Sequence, residues 1–202
     1  MSPGIVIVDY GMGNLRSVEK AFENAGAKVS VSSDGHKITQ ADKIVLPGVG
    51  AFSHAMRELR ARKLVEPILE KINEGAPYLG LCLGLQLLFE TSQEGSEKGL
   101  AVLPGNVVKF QGKMKIPHMG WNNLKLKQKD NPLFRGAATD DFYYFVHSFY
   151  ALPKDKNVIA STTDYNVDFC SSVWKENIFA TQFHPEKSQK AGQVLIRNFV
   201  RL

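Results

Sequence analysis

Residues 78–90, YLGLCLGLQLLFE, join two apolar runs through Gly80-Leu81-Cys82-Leu83-Gly84. Tyr78, Leu79 and Leu81 suit the end of a buried strand. Leu85, Leu87, Leu88 and Phe89 suit the apolar stripe of a helix. A strand turning sharply into a helix, with glycines where two backbones meet, is the nucleophile-elbow arrangement. The cysteine then sits at a helix N-terminus, where the macrodipole favours a thiolate over a thiol. Gln86, four residues on, shares its helix face and is placed to contact a substrate. The same pattern also serves a small buried cysteine in a close-packed strand–helix join. A second site has to separate the two.

The chain before the elbow reads as alternating strands and helices. Gly4-Ile-Val-Ile-Val-Asp9 is a continuous apolar run of the kind that fills a central parallel strand. The turn 10–14 leads into a helix over 15–25, stopped by Gly26. Gly11 and Gly13 begin a dinucleotide fingerprint, but Arg16 stands where its third glycine would be. The stretch therefore reads as a tight turn, in which Asn14 caps the helix or presents its amide to a partner. Strands are expected over 28–32 and 42–46, and helices over 51–62 and 66–73, with Pro67 in a first turn. The second strand runs into Pro47-Gly48-Val49-Gly50, whose glycines free the backbone to aim N–H groups at an oxyanion, or simply to turn.

This order, β-α-β-β-α-α-β-α, predicts an α/β fold: an open sheet with a parallel core and helices on both faces. Active sites of such sheets lie beyond the carboxyl ends of the strands, where both Gly48-Val49-Gly50 and Cys82 fall. Beyond Gly95 strand runs dominate, at 106–110, 123–127, 142–145, 158–163, 170–175 and 177–181, before a final helix over 188–200. They predict an antiparallel extension of the same mixed sheet, with residues 1–202 as one domain. Residues 116–122, IPHMGWN, read as a loop in which Trp121 is a packing or contact residue. Residues 143–150, YYFVHSFY, read as an aromatic core strand, with His147 a structural hydrogen-bonding residue.

The second site is Thr181-Gln-Phe-His-Pro-Glu-Lys187, again a loop after a strand. Pro185 forces His184 into an extended conformation. In extended chain, residues two apart point the same way, so Glu186 lies beside His184 and can fix its tautomer. With Cys82 this makes a Cys-His-Glu triad of nucleophile, base and orienting carboxylate.

Composition narrows the setting. The 202 residues are 44% hydrophobic and 22% charged, which suits a folded globular chain. Cys82 and Cys170 make no disulfide framework, so a reducing, cytoplasmic location is expected. No apolar stretch is long enough to span a bilayer, and the opening MSPGIVIVDYG enters a strand with no basic leader, so no signal peptide is expected. The net charge of +5 is scattered. Lys125, Lys127 and Lys129 alternate along an expected strand and share a solvated face. Without a basic helix or an aromatic–basic stripe, nucleic acid is not an expected partner.

G-x-C-x-G with Gln86 downstream, P-G-V-G upstream and Q-F-H-P-E near the end together resemble the class I, triad-type glutamine amidotransferases. P-H-M-G-W-N and Y-F-V-H-S-F point to the branch that serves a (β/α)8-barrel cyclase of histidine biosynthesis. The resemblance covers essentially the whole chain. It implies that Cys82 attacks the carboxamide of glutamine, that His184 moves the protons and that Glu186 orients His184. It assigns the oxyanion hole to Val49, Gly50 and Leu83. It assigns glutamine binding to Gly50, Gln86, Glu94, His147, Ser148 and Phe149, and the docking face for the cyclase, in a heterodimer, to Asn14, Trp121, Tyr144 and Lys187. The sequence offers no phosphate loop, ATP motif or metal-ligand cluster, so neither cofactor nor metal is expected. Other readings are a glutaminase for another synthase (surface-sugar amidination, anthranilate or pyridoxal phosphate), an elbow-type cysteine hydrolase, and a binding module with an inert Cys82. Gln86 and the His-Pro-Glu run argue against the hydrolase.

Overall fold

Strand β1 (Ile5–Val8) is apolar throughout because both its faces are covered. Its side chains alternate between two cores: Val6 and Val8 enter one, Ile5 and Ile7 the other. The computed structural model describes residues 4–138 and 140–202; residues 1–3 of the opening run, and Thr139, lie outside them.

The helices are α1 (Leu15–Asn24), α2 (Gly35–Thr39), α3 (Phe52–Ala61), α4 (Val65–Asn73), α5 (Leu83–Gln86) and α6 (Gln189–Val200). Among them run β2 (Val29–Ser32), β3 (Lys43–Leu46) and β4 (Tyr78–Leu81). The second half adds β5 (Thr91–Ser92), β6 (Gly105–Lys109), β7 (His118–Asn123), β8 (Lys125–Leu126), β9 (Phe142–His147), β10 (Phe149–Pro153), β11 (Ile159–Asp164), β12 (Asp168–Lys175) and β13 (Ile178–Thr181).

The main sheet has the order β2-β1-β3-β4-β13-β12-β10-β6-β5, with β11 and β8 branching from β12. From β2 to β13 every pairing is parallel. The pairings β13-β12, β12-β10 and β10-β6 are antiparallel, as expected of the extension. One core, with Ile38, Met56, Leu59 and Ile68 from α2 to α4, covers one face of the sheet. The other, with Phe22 of α1 and Leu195 and Phe199 of α6, covers the opposite face. Phe22 and Phe199 meet edge to face at 6.1 Å, tying the second helix layer together. No helix among the described residues is long and apolar enough to cross a membrane.

Several local expectations need correction. A helix, α2, separates β2 from β3. It has five residues, one buried side chain (Ile38), and an Asp34 cap that accepts from the His36 N–H at 2.9 Å. The helix after Cys82 is a single turn, and Leu85, Leu87, Leu88 and Phe89 are buried on all sides rather than along a stripe. Residues 116–122 are largely strand: β7 pairs with β9 in a separate two-stranded ribbon, His118 opposite His147 and Trp121 opposite Tyr144. The last strand, β13, pairs parallel with β4 as well as antiparallel with β12, so it joins the parallel core to the extension. The lysine-bearing strand stops at Leu126, and Lys125 pairs with Asp168 at 2.9 Å.

The insertion of β13 beside β4 positions the site. Leu81 lies opposite Thr181, and the Cys82 N–H donates to the Thr181 carbonyl at 2.7 Å. Two loops distant in sequence thus leave neighbouring strands at the same carboxyl edge, where ligands of open α/β sheets bind.

Candidate active site

Cys82 occupies φ +53°, ψ −101°, a conformation that costs a residue with a Cβ on the order of 1–3 kcal/mol. Close packing on both sides holds it there. A Cβ on Gly84 would overlap the Leu46 carbonyl oxygen of β3, and one on Gly80 would come within 2.6 Å of the Gly84 oxygen. Tyr78 reinforces the turn by donating its hydroxyl to the Gly84 carbonyl at 2.8 Å. The one-turn α5 sums few peptide dipoles, so the helix contributes less to a thiolate than the sequence suggested. A neighbouring cation has to do more.

That cation is His184. Pro185 holds it extended, at φ −100° and ψ 94°. Its N–H donates to the Tyr144 carbonyl at 2.9 Å. Ser188 Oγ donates to its carbonyl at 2.7 Å and accepts from the Tyr144 N–H at 2.9 Å. Nδ1 meets Glu186 Oε1 at 2.8 Å, with the two side chains 3% and 2% exposed. Nε2 is buried without a well-angled hydrogen bond, facing the sulfur. Burial alone would push this imidazole down. The charge of Cys82, weak hydrogen bonding to it, and Glu186 together outweigh burial and raise His184 well above the ordinary histidine range.

A pocket of about 560 Å³ opens on the sulfur, lined by Gly50, Gln86, Glu94, His147, Ser148 and Phe149 among others. All six residues expected to hold glutamine therefore meet there. Glu94 closes one wall by accepting from the Phe52 N–H at the start of α3, at 2.8 Å. Gln86 spends its amide hydrogens inward, on the Phe149 carbonyl at 3.0 Å and Gln182 Oε1 at 3.1 Å, so only its carbonyl oxygen is left for a substrate. Gln182, absent from the expected site, donates to the Cys82 sulfur at 3.6 Å. The available signal was its place two residues before His184, polar where its neighbours are core.

The loop expected to hold an oxyanion is not in a receiving state. The Leu83 N–H points at the Gly48 carbonyl, at 3.4 Å, so one expected donor is already engaged. Tyr10 holds the preceding peptide, donating its buried hydroxyl to the Pro47 carbonyl at 2.9 Å. Gly50, at φ +96°, and the exposed Val49 form the free part of the loop. Exposing both donors requires the peptides after Gly48 to rotate.

His147 in the pocket wall and His118 behind it form a neutral pair. His147 Nδ1–H donates to the Phe149 carbonyl at 2.8 Å, so its Nε2 accepts from His118 Nδ1–H at 3.0 Å. Burial pushes His118 down to about 4 and His147 down to about 3, the latter also opposed by the charges of His118 and His184. Unfolded, each titrates near the ordinary value of about 6.5. Between there and the folded values the unfolded chain binds more protons, so stability falls as pH drops. The loss reaches up to about 1.4 kcal/mol per pH unit for each histidine. Urea unfolding of His118→Gln between pH 4.5 and 6.5 is expected to show a shallower pH slope than the parent. Parallel slopes would refute the assignment.

Three of the four expected docking residues cluster. Trp121, 47% exposed, meets the Tyr144 ring edge to face at 5.8 Å, and Lys187 Nζ lies 5.9 Å from the centroid of the same ring. Met119, on the same face of β7, is 58% exposed. Asn14 caps α1, its side chain accepting from the Ser17 N–H; α1 touches the turn that carries Lys187.

The family model for glutamine amidotransferase class-I matches residues 6–202. The chain is 52% identical to the imidazole glycerol phosphate synthase subunit HisH of Syntrophotalea carbinolica, across 96% of this chain and 98% of that one. It is 50% identical to the subunit of the same name from Aquifex aeolicus, across 97% and 95%. PurLQS from Thermotoga maritima shares the fold with a TM-score of 0.76, at 22% identity over 100% of this chain and 99% of that one. With both the family model and these relatives matched nearly end to end, the chain belongs to the class I glutamine amidotransferases, on the branch of the imidazole glycerol phosphate synthase HisH subunits.

Proposed function

We propose that this chain is the glutaminase subunit of an imidazole glycerol phosphate synthase, hydrolysing glutamine to glutamate and ammonia for histidine biosynthesis. The observation that carries the reading is the β4-β13 pairing, which brings the loops of Cys82 and His184 out at one sheet edge, with Glu186 bonded to the imidazole.

The Cys82 thiolate adds to the carboxamide carbon of glutamine. The carbonyl oxygen, now an anion, is held by N–H groups of Leu83 and the Val49–Gly50 loop. His184 gives its Nε2 proton to the departing nitrogen, the C–N bond breaks, and ammonia leaves a glutamyl thioester. Neutral His184 then takes a proton from water, hydroxide displaces the sulfur, and glutamate is released. Glu186 stabilises the imidazolium throughout. Free ammonia is mostly protonated at neutral pH and then no longer nucleophilic, so direct transfer is favoured. The recipient is a (β/α)8-barrel cyclase subunit, docked in a heterodimer on the face of Trp121, Tyr144 and Lys187. It forms imidazole glycerol phosphate and aminoimidazole carboxamide ribotide. Two unpaired buried cysteines support a reducing, cytoplasmic location.

The engaged Leu83 N–H predicts weak activity for the isolated subunit, because a missing oxyanion donor costs about a hundredfold or more. Glutamine hydrolysis measured alone, and with the cyclase and its ligand, is expected to differ by at least that factor. Equal rates would overturn the gating. Complementation of a histidine auxotroph tests the pathway.

A further inference from the structure

The sulfur of Cys82 has a second polar neighbour besides His184. Gln182 is fully buried, and its Nε2 lies 3.6 Å from the sulfur. Its orientation is fixed from the far end of a hydrogen-bond chain. The Phe149 carbonyl can only accept, so the Gln86 atom bonded to it at 3.0 Å is the amide nitrogen. The second hydrogen of that nitrogen goes to Gln182 Oε1 at 3.1 Å, which leaves the Gln182 NH2 aimed at Cys82. The Gln182 backbone is held independently, its N–H donating to the Ser171 carbonyl at 2.8 Å. The same Phe149 carbonyl also accepts from His147 Nδ1–H, so the chain ends on a doubly bonded anchor.

We propose that Gln182 is a further catalytic residue, whose amide N–H stabilises the Cys82 thiolate and steers the sulfur, with Gln86 behind it as the positioning residue. A thiolate offers only lone pairs, so a fixed N–H donor favours it over the thiol. The donor lies inside the protein, opposite the pocket-facing work of the oxyanion loop, and needs no contact with substrate. This rests on the reading of Cys82 as the nucleophile.

The test is the pH dependence of Cys82 alkylation by iodoacetamide in the intact protein, quantified by mass spectrometry, because the thiolate is the reactive form. In Gln182→Leu the pH of half-maximal rate is expected to rise by about one unit, and the rate at neutral pH to fall roughly tenfold. In Gln182→Glu, nearly isosteric, the rise is larger, because an ionised carboxylate repels the thiolate. Gln86→Leu gives a smaller rise in the same direction, since the Gln182 amide is then free to turn. In both Gln182 variants, kcat for glutamine hydrolysis falls more than KM rises. If Gln182→Leu does not fold, the isosteric Gln182→Glu carries the test. Alkylation profiles superimposable on the parent in folded variants would overturn the proposal. Failure of the underlying reading looks different: Cys82→Ala would then still hydrolyse glutamine.

Discussion

Cys82→Ala loses glutamine hydrolysis by a factor on the order of 10⁴ or more, while ammonia-dependent synthesis by the complex stays within about twofold of the parent. Two observations make so clean a separation the expected result. No second thiol can substitute: Cys170 lies on β12, bonded to the Ser172 carbonyl, with burial pushing its thiol up to about 12. The face proposed for docking is built from β7, β9 and the turn after His184, none of which contains Cys82, so removing its sulfur leaves the surface intact. Both assays are run on the same purified complex, with glutamine and then with an ammonium salt at alkaline pH. Loss of both activities in a folded complex would contradict the division of labour. Retained glutamine hydrolysis would remove Cys82 from the chemistry.

The His184–Glu186 contact and the strained Cys82 turn were legible because each has a reason in the local backbone. Pro185 fixes the conformation of His184, residues two apart align in extended chain, and paired glycines announce a close approach. The parallel core was legible because strands covered on both faces are apolar without interruption. What escaped notice did so for equally local reasons. In β7 the alternation is inverted: His118 is buried while Met119 and Trp121 face outward, so a pattern-based reading finds a loop. The helix α2 is shorter than one hydrophobic repeat needs to show itself. Gln182 was visible as a polar residue in a core run, but its partners, Gln86 and Cys82, stand about a hundred positions away and meet it only through the β4-β13 pairing. The engagement of the Leu83 N–H by the Gly48 carbonyl depends on the orientation of one peptide, which no residue type dictates.

Gly84→Ala is expected to destabilise the protein by about 3 kcal/mol or more, near the upper end for overpacking. The added methyl would overlap the backbone oxygen of Leu46, and that oxygen cannot withdraw easily, because Leu46 lies opposite Gly80 in the β3-β4 pairing. Relief would have to come from moving α5 outward, carrying the Cys82 turn with it. A displacement of about 1 Å there costs roughly a hundredfold in rate. Gly75→Ala is the informative comparison. That glycine has φ +84°, but a methyl added to it would meet nothing within 4 Å, so its replacement costs only the conformational preference, about 1 kcal/mol. Thermal unfolding separates the two causes. For a chain of this size the elbow variant should melt roughly 6–12 °C lower and the Gly75 variant about 2–4 °C lower. If Gly84→Ala melted no lower than Gly75→Ala and kept full glutaminase activity, close backbone packing would not be what holds Cys82 at positive φ.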